Sequence, residues 1–396
     1  MFLEFITHPN TTQRIRLKIA YATTFDARDI SNWSGTPYYM SKAFTENHSD
    51  IHYLGSLSRK LSKGFKLKQL WKKYICDQRE SPRFNFVAAQ YYSQQIDEQL
   101  RTIKTDVIIS PQINPIAYLE SQKPLVLWTD ALYASLLGFY SGFAKHSISS
   151  IEQGNKITSE CLARTKLAIF SSDWAARNAI ELYGVDNSKV KVVPFGANIV
   201  CHHTTDDIRV MLKKRDPNNI KFLFLGKHWD RKGGDIVFNV IKALHKAGIT
   251  VELNFVGCFP PTNIEIPAHI KCHGFISKRT PEGVAKIKQL LRESHFLFVP
   301  SRAEAYGIVF CEANAFGLPC LTSHVGGIST VVKDNINGMT FALDASVDTY
   351  CQYITGLTQH YSCYEELALS SFNEYSSRLN WNVATQTVQQ LIKEVL

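Results

Sequence analysis

"FLFLGKHWDRKGGDIVFNVIKALHKAG", residues 222–248, is the stretch on which the fold turns. Its opening apolar run ends at Leu225 and reads as a buried strand, and Gly233 and Gly234 open an amphipathic helix. Between them lies a loop holding Gly226, Lys227, Arg231 and Lys232. Glycines let a backbone approach a ligand closely, a helix N-terminus offers free N–H groups, and the three cations can neutralise a diphosphate. The pattern is neither a Walker loop nor G-x-G-x-x-G, and its bland alternative is a surface loop whose cations face water.

Outward from this unit, apolar runs alternate with helical segments almost from end to end, the pattern of parallel α/β sheets. In the first half, strands are expected at Ile15 to Tyr21, Ile51 to Leu54, Val107 to Ser110, Leu125 to Trp128, Leu167 to Ser171 and Val190 to Val193. Helices are expected at Thr36 to Thr45 and Ala88 to Leu100. The alternation breaks in a polar stretch after "VVPFGAN" and resumes at "IKFLFLG", followed by "VELNFVG", "HFLFVPS" and "PCLTS". Two Rossmann-like domains with a cleft between them follow, with residues 1–195 in the first, 196–375 in the second and a closing helix in 376–396. Ligands of such sheets bind beyond the carboxyl ends of the strands.

Composition agrees with two soluble domains: 396 residues, 45% of them apolar. The first residues show no signal-peptide pattern, and no apolar run suits a spanning helix. Nine cysteines without a C-x-x-C pair argue for reduced thiols and a cytoplasmic location. A formal charge of +9 invites an anionic partner. Much of it lies in "SRKLSKGFKLKQLWKKYICDQR", where Arg59, Lys60, Lys63, Lys66, Lys68, Lys72 and Lys73 precede the first acid, Asp77, and Leu67, Leu70, Trp71 and Tyr74 recur at helical spacing. Such a helix could lie peripherally on an anionic membrane surface, or it is a basic helix packed by its apolar stripe.

The segment "SRAEAYGIVFCEANAFGLP", residues 301–319, follows a buried strand. Gly307 marks a turn, and Ile308 to Phe316 reads as an apolar helix whose polar side chains are Glu312 and Asn314. An ionised carboxylate there needs donors, because burying it alone is expensive. Glu312 would lie about 7.5 Å along the axis from Gly307, with Glu304 ahead of the N-terminus. A nucleotide sugar fits: hydroxyls at each end and an anionic middle. The alternative is that Glu304 acts on the helix electrostatically and Glu312 pairs with a protein cation.

With these residues in hand, the chain resembles the retaining glycosyltransferases of family 4, which adopt the GT-B fold of two facing Rossmann-like domains. "GKHWDRKGGD" looks like the family's G-R-x4-K-G diphosphate loop, with Lys227 in place of arginine, and the later segment like its Glu-x7-Glu signature. "VGGISTVVKDNINGMTF" resembles the family's following Gly-Gly segment, with Thr330 where glutamate is usual. The resemblance implies that Glu304 meets the transferred sugar, Glu312 the ribose diol, and Lys232 with Lys227 or Arg231 the diphosphate. It puts backbone of Tyr306, Gly307, Ile308 and Val309 against sugar and phosphate, and the nucleobase near Phe275 and Ile276. Gly35, in "DARDISNWSGTPYYM", would bring a loop of the first domain to the donor. Where relatives carry a histidine this chain has Asp130, which either shares that role or caps the next helix.

The expected activity is metal-independent transfer of a hexosyl group, with retention, from a nucleoside-diphosphate sugar to an acceptor glycan, lipid or small molecule. No cofactor is implied. The chain contains no D-x-D for a metal-bridged diphosphate. Rival readings are a GT-B phosphorylase or epimerase, a noncatalytic nucleotide-sugar-binding protein, and a nucleic-acid-binding protein. The last lacks a recognition motif, so no specific nucleic acid is expected.

Overall fold

A computed structural model of the chain describes residues 16–396, so Ile15, the first residue of the expected opening strand, lies outside the described residues. The first sheet comprises β1 (Lys18–Ala22), β2 (Asp50–Leu54), β3 (Val107–Ser110), β4 (Leu125–Thr129), β5 (Leu167–Phe170) and β6 (Val190–Val192). They are all parallel, in the order β2-β1-β3-β4-β5-β6. The second comprises β7 (Ile220–Leu225), β8 (Val251–Val256), β9 (Ile270–Gly274), β10 (Phe296–Val299), β11 (Cys320–Ser323) and β12 (Gly338–Phe341). Its order is β12-β11-β10-β7-β8-β9, again all parallel.

Helices cover both faces of a doubly wound sheet, so its central strands are buried on both sides and read as mostly apolar runs. β10 and β11 are buried at every position. The edge strand β9, "IKCHG", is half exposed and carries Lys271 outward, which is why the apolar pattern does not announce it.

The order of strands reverses between β1 and β3 in one sheet and between β7 and β10 in the other. Such a switch point leaves a crevice, because the connections on either side leave in opposite directions. The loops after β7 and β10 are the two cation- and carboxylate-bearing segments singled out in the sequence.

The helix Trp381–Lys393 packs on the helix Thr36–Glu46 of the first sheet. Asn47 Nδ2 donates to Thr385 Oγ1 at 2.6 Å, and Gln389 Nε2 donates to Ser49 Oγ at 2.8 Å. Trp381 packs edge-on against Trp128 and tilted against Phe195, with ring centroids 5.7 and 5.4 Å apart. The basic helix forms as Phe65–Ile75, but its apolar stripe does not pack: only Phe65 is buried.

Candidate functional site

The two switch points face each other across a cleft of about 670 Å³. The first domain lends Ile30, Ser31, Trp33, Ser34, Thr36, Asp130 and Tyr140; the second lends the loops after β7, β8, β9 and β10. Glu304, Lys232 and Glu312 all line this one hollow.

The loops after β7 and β10 are stitched together by their backbones. Arg302 N–H donates to Arg231 O at 2.8 Å, and Arg231 Nη1 donates to Ala303 O at 2.9 Å. Gly233 belongs to this seam and does not line the cleft. Its φ is +71°, and a Cβ there would meet Pro300 O at 2.2 Å. The close approach at Gly233 is thus to Pro300, at the end of β10.

Within the seam the Glu304 carboxylate accepts from the Lys232 ammonium, with Arg231 Nη1 3.5 Å away. The carboxylate and the two cations thus hold one another within the seam. Across the cleft, Tyr140 lies under the Arg231 guanidinium at 5.3 Å, and its hydroxyl accepts the Ala305 N–H at 2.8 Å. Nothing in the sequence marks Tyr140, because the partner that gives it meaning lies 165 residues away.

Glu312 stands in the helix Ile308–Asn314, which stops two residues before the expected Phe316. The carboxylate is wholly buried and pairs with Lys278 through Oε1. Its Oε2 has no hydrogen-bond partner. Burial pushes the carboxyl upward and the Lys278 ammonium pulls it back, with burial the larger effect. A buried acceptor left unpaired costs about 1–3 kcal/mol, so an oxygen of this kind on a cleft wall points to a hydroxyl-bearing ligand. Lys278 was missed in the sequence, although it ends the quoted "CHGFISK" segment.

The remaining expected residues divide cleanly. Gly226, Lys227, Phe275, Ile276, Tyr306, Gly307, Ile308 and Val309 line the cleft. Phe275 is 63% exposed, and the Lys227 ammonium sits 4.7 Å from its ring centre, so a flat apolar surface and a cation share one rim. The Tyr306 side chain turns inward and donates to Phe195 O at 2.6 Å, which bridges the domains. Gly35 does not line the cleft; with φ +88° it turns the chain into the helix Thr36–Glu46, and its neighbours Trp33 and Ser34 face the hollow instead. Asn198 Nδ2 holds that loop by donating to Ser34 O at 2.9 Å and Thr36 Oγ1 at 3.0 Å.

Asp130 follows β4 and lines the cleft. It does not cap the next helix, Tyr133–Leu136, whose N-cap is Leu132. Burial, with the charge of Glu304, pushes its carboxyl up to about 7. Because this folded-state value lies above the unfolded one, ionisation disfavours the fold: the penalty is absent below about pH 4 and complete above about pH 7. Asp130→Asn is accordingly expected to raise Tm at pH 8 relative to wild type while leaving it unchanged at pH 4, as read by thermal melts.

Thr330, in the place of the usual glutamate, links the domains. Its Oγ1 donates to Asp173 Oδ2 at 2.8 Å and accepts the Asp173 N–H at 3.0 Å. Beside it a Cβ on Gly327 would meet Ala305 O at 2.0 Å and Ser172 Oγ at 2.7 Å. Gly327→Ala is expected to destabilise the protein by about 1–3 kcal/mol through overpacking at this seam, measurable by denaturant titration. An unchanged midpoint would show that the seam yields freely.

Two all-parallel Rossmann-like sheets with a deep cleft between them define a GT-B fold. Residues 219–360 match the model of the family described as Glycosyl transferases group 1. Curated relatives include D-inositol 3-phosphate glycosyltransferase of Nocardia farcinica, 28% identical over 174 residues, 41% of this chain and 39% of the relative. The same-named protein of Xylanimonas cellulosilytica is 27% identical over 47% of this chain and 48% of its own length. The matches thus span less than half the length of these curated relatives. Among solved structures, a glycosyltransferase from Rickettsia africae superposes with a TM-score of 0.66 at 15% identity, covering 96% of this chain and 99% of that one. Anabaena HepE in complex with UDP and glucose gives 0.60 at 16% identity over 96% of this chain and 100% of that one.

Proposed function

We propose that the protein is a retaining, family 4 glycosyltransferase that moves a hexosyl group from a nucleoside-diphosphate sugar to an acceptor hydroxyl. The observation that carries this reading is one cleft lined by Glu304, Lys232, Arg231 and Glu312, the last with an unpartnered Oε2, and it supports assigning them to sugar, diphosphate and ribose in turn. Phe275 and Ile276 complete it with an apolar rim for the base.

Departure of the nucleoside diphosphate builds negative charge on the leaving oxygens. Lys232, Arg231 and Lys227 are positioned to stabilise it, and Lys232 is already fixed by Glu304, so little reorganisation is required as the charge grows. Glu304 has a second task when the donor binds: accepting from sugar hydroxyls while it continues to orient Lys232. Acceptor and leaving group on the same face of an oxocarbenium-like sugar give retention, and no enzyme nucleophile is assigned. The absence of D-x-D from the sequence and the three cations of the loop after β7 support metal independence.

The protein works, on this reading, in the cytoplasm. UDP-sugars lead the donor candidates because the HepE structure holds UDP, and the names of the curated relatives put inositol phosphate among the acceptors to assay. Thermal-shift screening with UDP-, GDP- and ADP-sugars, followed by a transfer assay in the presence and absence of chelator, tests the proposal. Expected results are stabilisation by one nucleotide class and chelator-resistant transfer with the donor's anomeric configuration kept. Formation of sugar 1-phosphate only when phosphate is supplied would instead make it a phosphorylase.

A further inference from the structure

We propose that the helix Phe65–Ile75 docks this protein on an anionic lipid bilayer, lying in the headgroup plane with its apolar face toward the acyl chains. The observation is an inverted amphipathic helix. Leu67, Leu70, Trp71, Tyr74 and Ile75 fall at i, i+3, i+4, i+7 and i+8 and so form one stripe, yet they are 73, 52, 54, 71 and 71% exposed. Such a stripe on a soluble domain ordinarily faces the core.

Here the polar side faces the protein instead. Lys68 Nζ lies 3.2 Å from Glu80 Oε1 and donates to Ser149 Oγ at 3.1 Å. Gln69 Nε2 donates to Glu80 O at 3.3 Å, and Lys72 Nζ to Gln78 Oε1 at 3.2 Å. Glu80 is itself buried and receives bonds from Ser147 and Ser150, so the anchor beneath the helix is built, not incidental. With Phe65 buried at the start, that anchor fixes the helix with its greasy side outward.

Charge selects the occupant. From Arg59 to Cys76 the chain carries seven cations and no acid, and among the described residues only Lys68 of the seven has a carboxylate partner. At about 100° per residue, Lys66 and Lys73 fall on one flank of the stripe, and on the other stands Lys72, which has no carboxylate partner among the described residues, beside the anchored Lys68. Cations along both flanks of an apolar face that includes Trp and Tyr match a surface that is anionic above and hydrocarbon below. Ile148, next to the Ser149 that receives Lys68, is 71% exposed as well and adds apolar area beside the helix. Among the described residues no helix is long and apolar enough to cross a membrane, so attachment by this helix would be to one face. An acceptor presented at a bilayer surface would suit such a location.

The test is flotation of the full-length protein with vesicles of phosphatidylcholine alone and of phosphatidylcholine mixed with phosphatidylglycerol. Partitioning is expected to rise about tenfold or more on the anionic vesicles and to fall as salt is added. The pairs Lys66→Glu with Lys73→Glu, and Leu70→Ser with Trp71→Ser, are each expected to reduce partitioning about tenfold. Both should leave the thermal melt and nucleotide binding at wild-type values. Equal partitioning onto both vesicle types, or none at low salt, overturns the proposal. So does a dimer in light scattering that the Leu70→Ser, Trp71→Ser pair dissolves without any vesicle binding, which assigns the face to a second copy. Nucleotide binding enters only as a control of folding, so its own failure in wild type bears on the donor site and not on this surface.

Discussion

Replacing Lys232 by alanine is expected to lower the rate of sugar transfer about 10²–10³-fold with a smaller change in donor affinity, because an ammonium aimed at a leaving diphosphate acts mainly where charge develops. Glu304→Gln should approach the same loss, since it weakens both the proposed contact to the sugar and the orientation of Lys232. The two side chains touch, so their effects should not add. A double variant only slightly slower than either single one is the expected result of single-turnover kinetics. If the single losses multiply, the two residues act apart and the shared-cation account is wrong. Normal turnover by either single variant removes this site from catalysis altogether.

The second large effect is on binding. Glu312→Gln is expected to raise the donor dissociation constant about ten- to hundredfold, the worth of a hydrogen bond from a hydroxyl to a charged acceptor. The rate constant at saturation should change much less, because the ribose lies away from the reacting bond. Titration calorimetry against the nucleoside diphosphate and against the same base with its ribose 2′-hydroxyl removed separates the causes. Wild type should lose affinity for the deoxy ligand, and the variant should scarcely distinguish the two. Equal affinity of wild type for both ligands contradicts the assignment of Glu312. Since the substitution also disturbs the pair with Lys278, a thermal melt of the free variant is the necessary control.

Most of the fold was legible because the central strands of both sheets are covered on both faces. β10 is apolar at every position and β7 from Phe222 to Leu225, while β8 is buried except at Glu252 and β11 throughout. The edge strand β9 was missed for the converse reason: Lys271, Cys272 and His273 meet partial solvent. In the site, Glu312 could be found because a carboxylate in an apolar helix demands a reason, Lys232 because it stands in a glycine-bearing strand-to-helix loop, and Glu304 because it precedes a helix N-terminus. Tyr140 and Lys278 could not, since their value comes from groups 165 and 34 residues distant and ordinary sequence context surrounds each. Two glycines expected at the donor are not among the residues that line the cleft. A glycine signals close approach without naming what approaches, and Gly233 turned out to face Pro300 while Gly35 reverses the chain. The apolar stripe of the basic helix shows the limit from the other side, as periodicity reveals a face but not which way it points.

The most direct measurement is a crystal structure of the protein bound to the nucleoside diphosphate that stabilises it most. Diphosphate oxygens are expected within hydrogen-bonding distance of Lys232 and Arg231, both ribose hydroxyls on Glu312, and the base against Phe275 and Ile276. Diphosphate density elsewhere, or a ribose turned away from the unpaired oxygen of Glu312, would contradict this assignment.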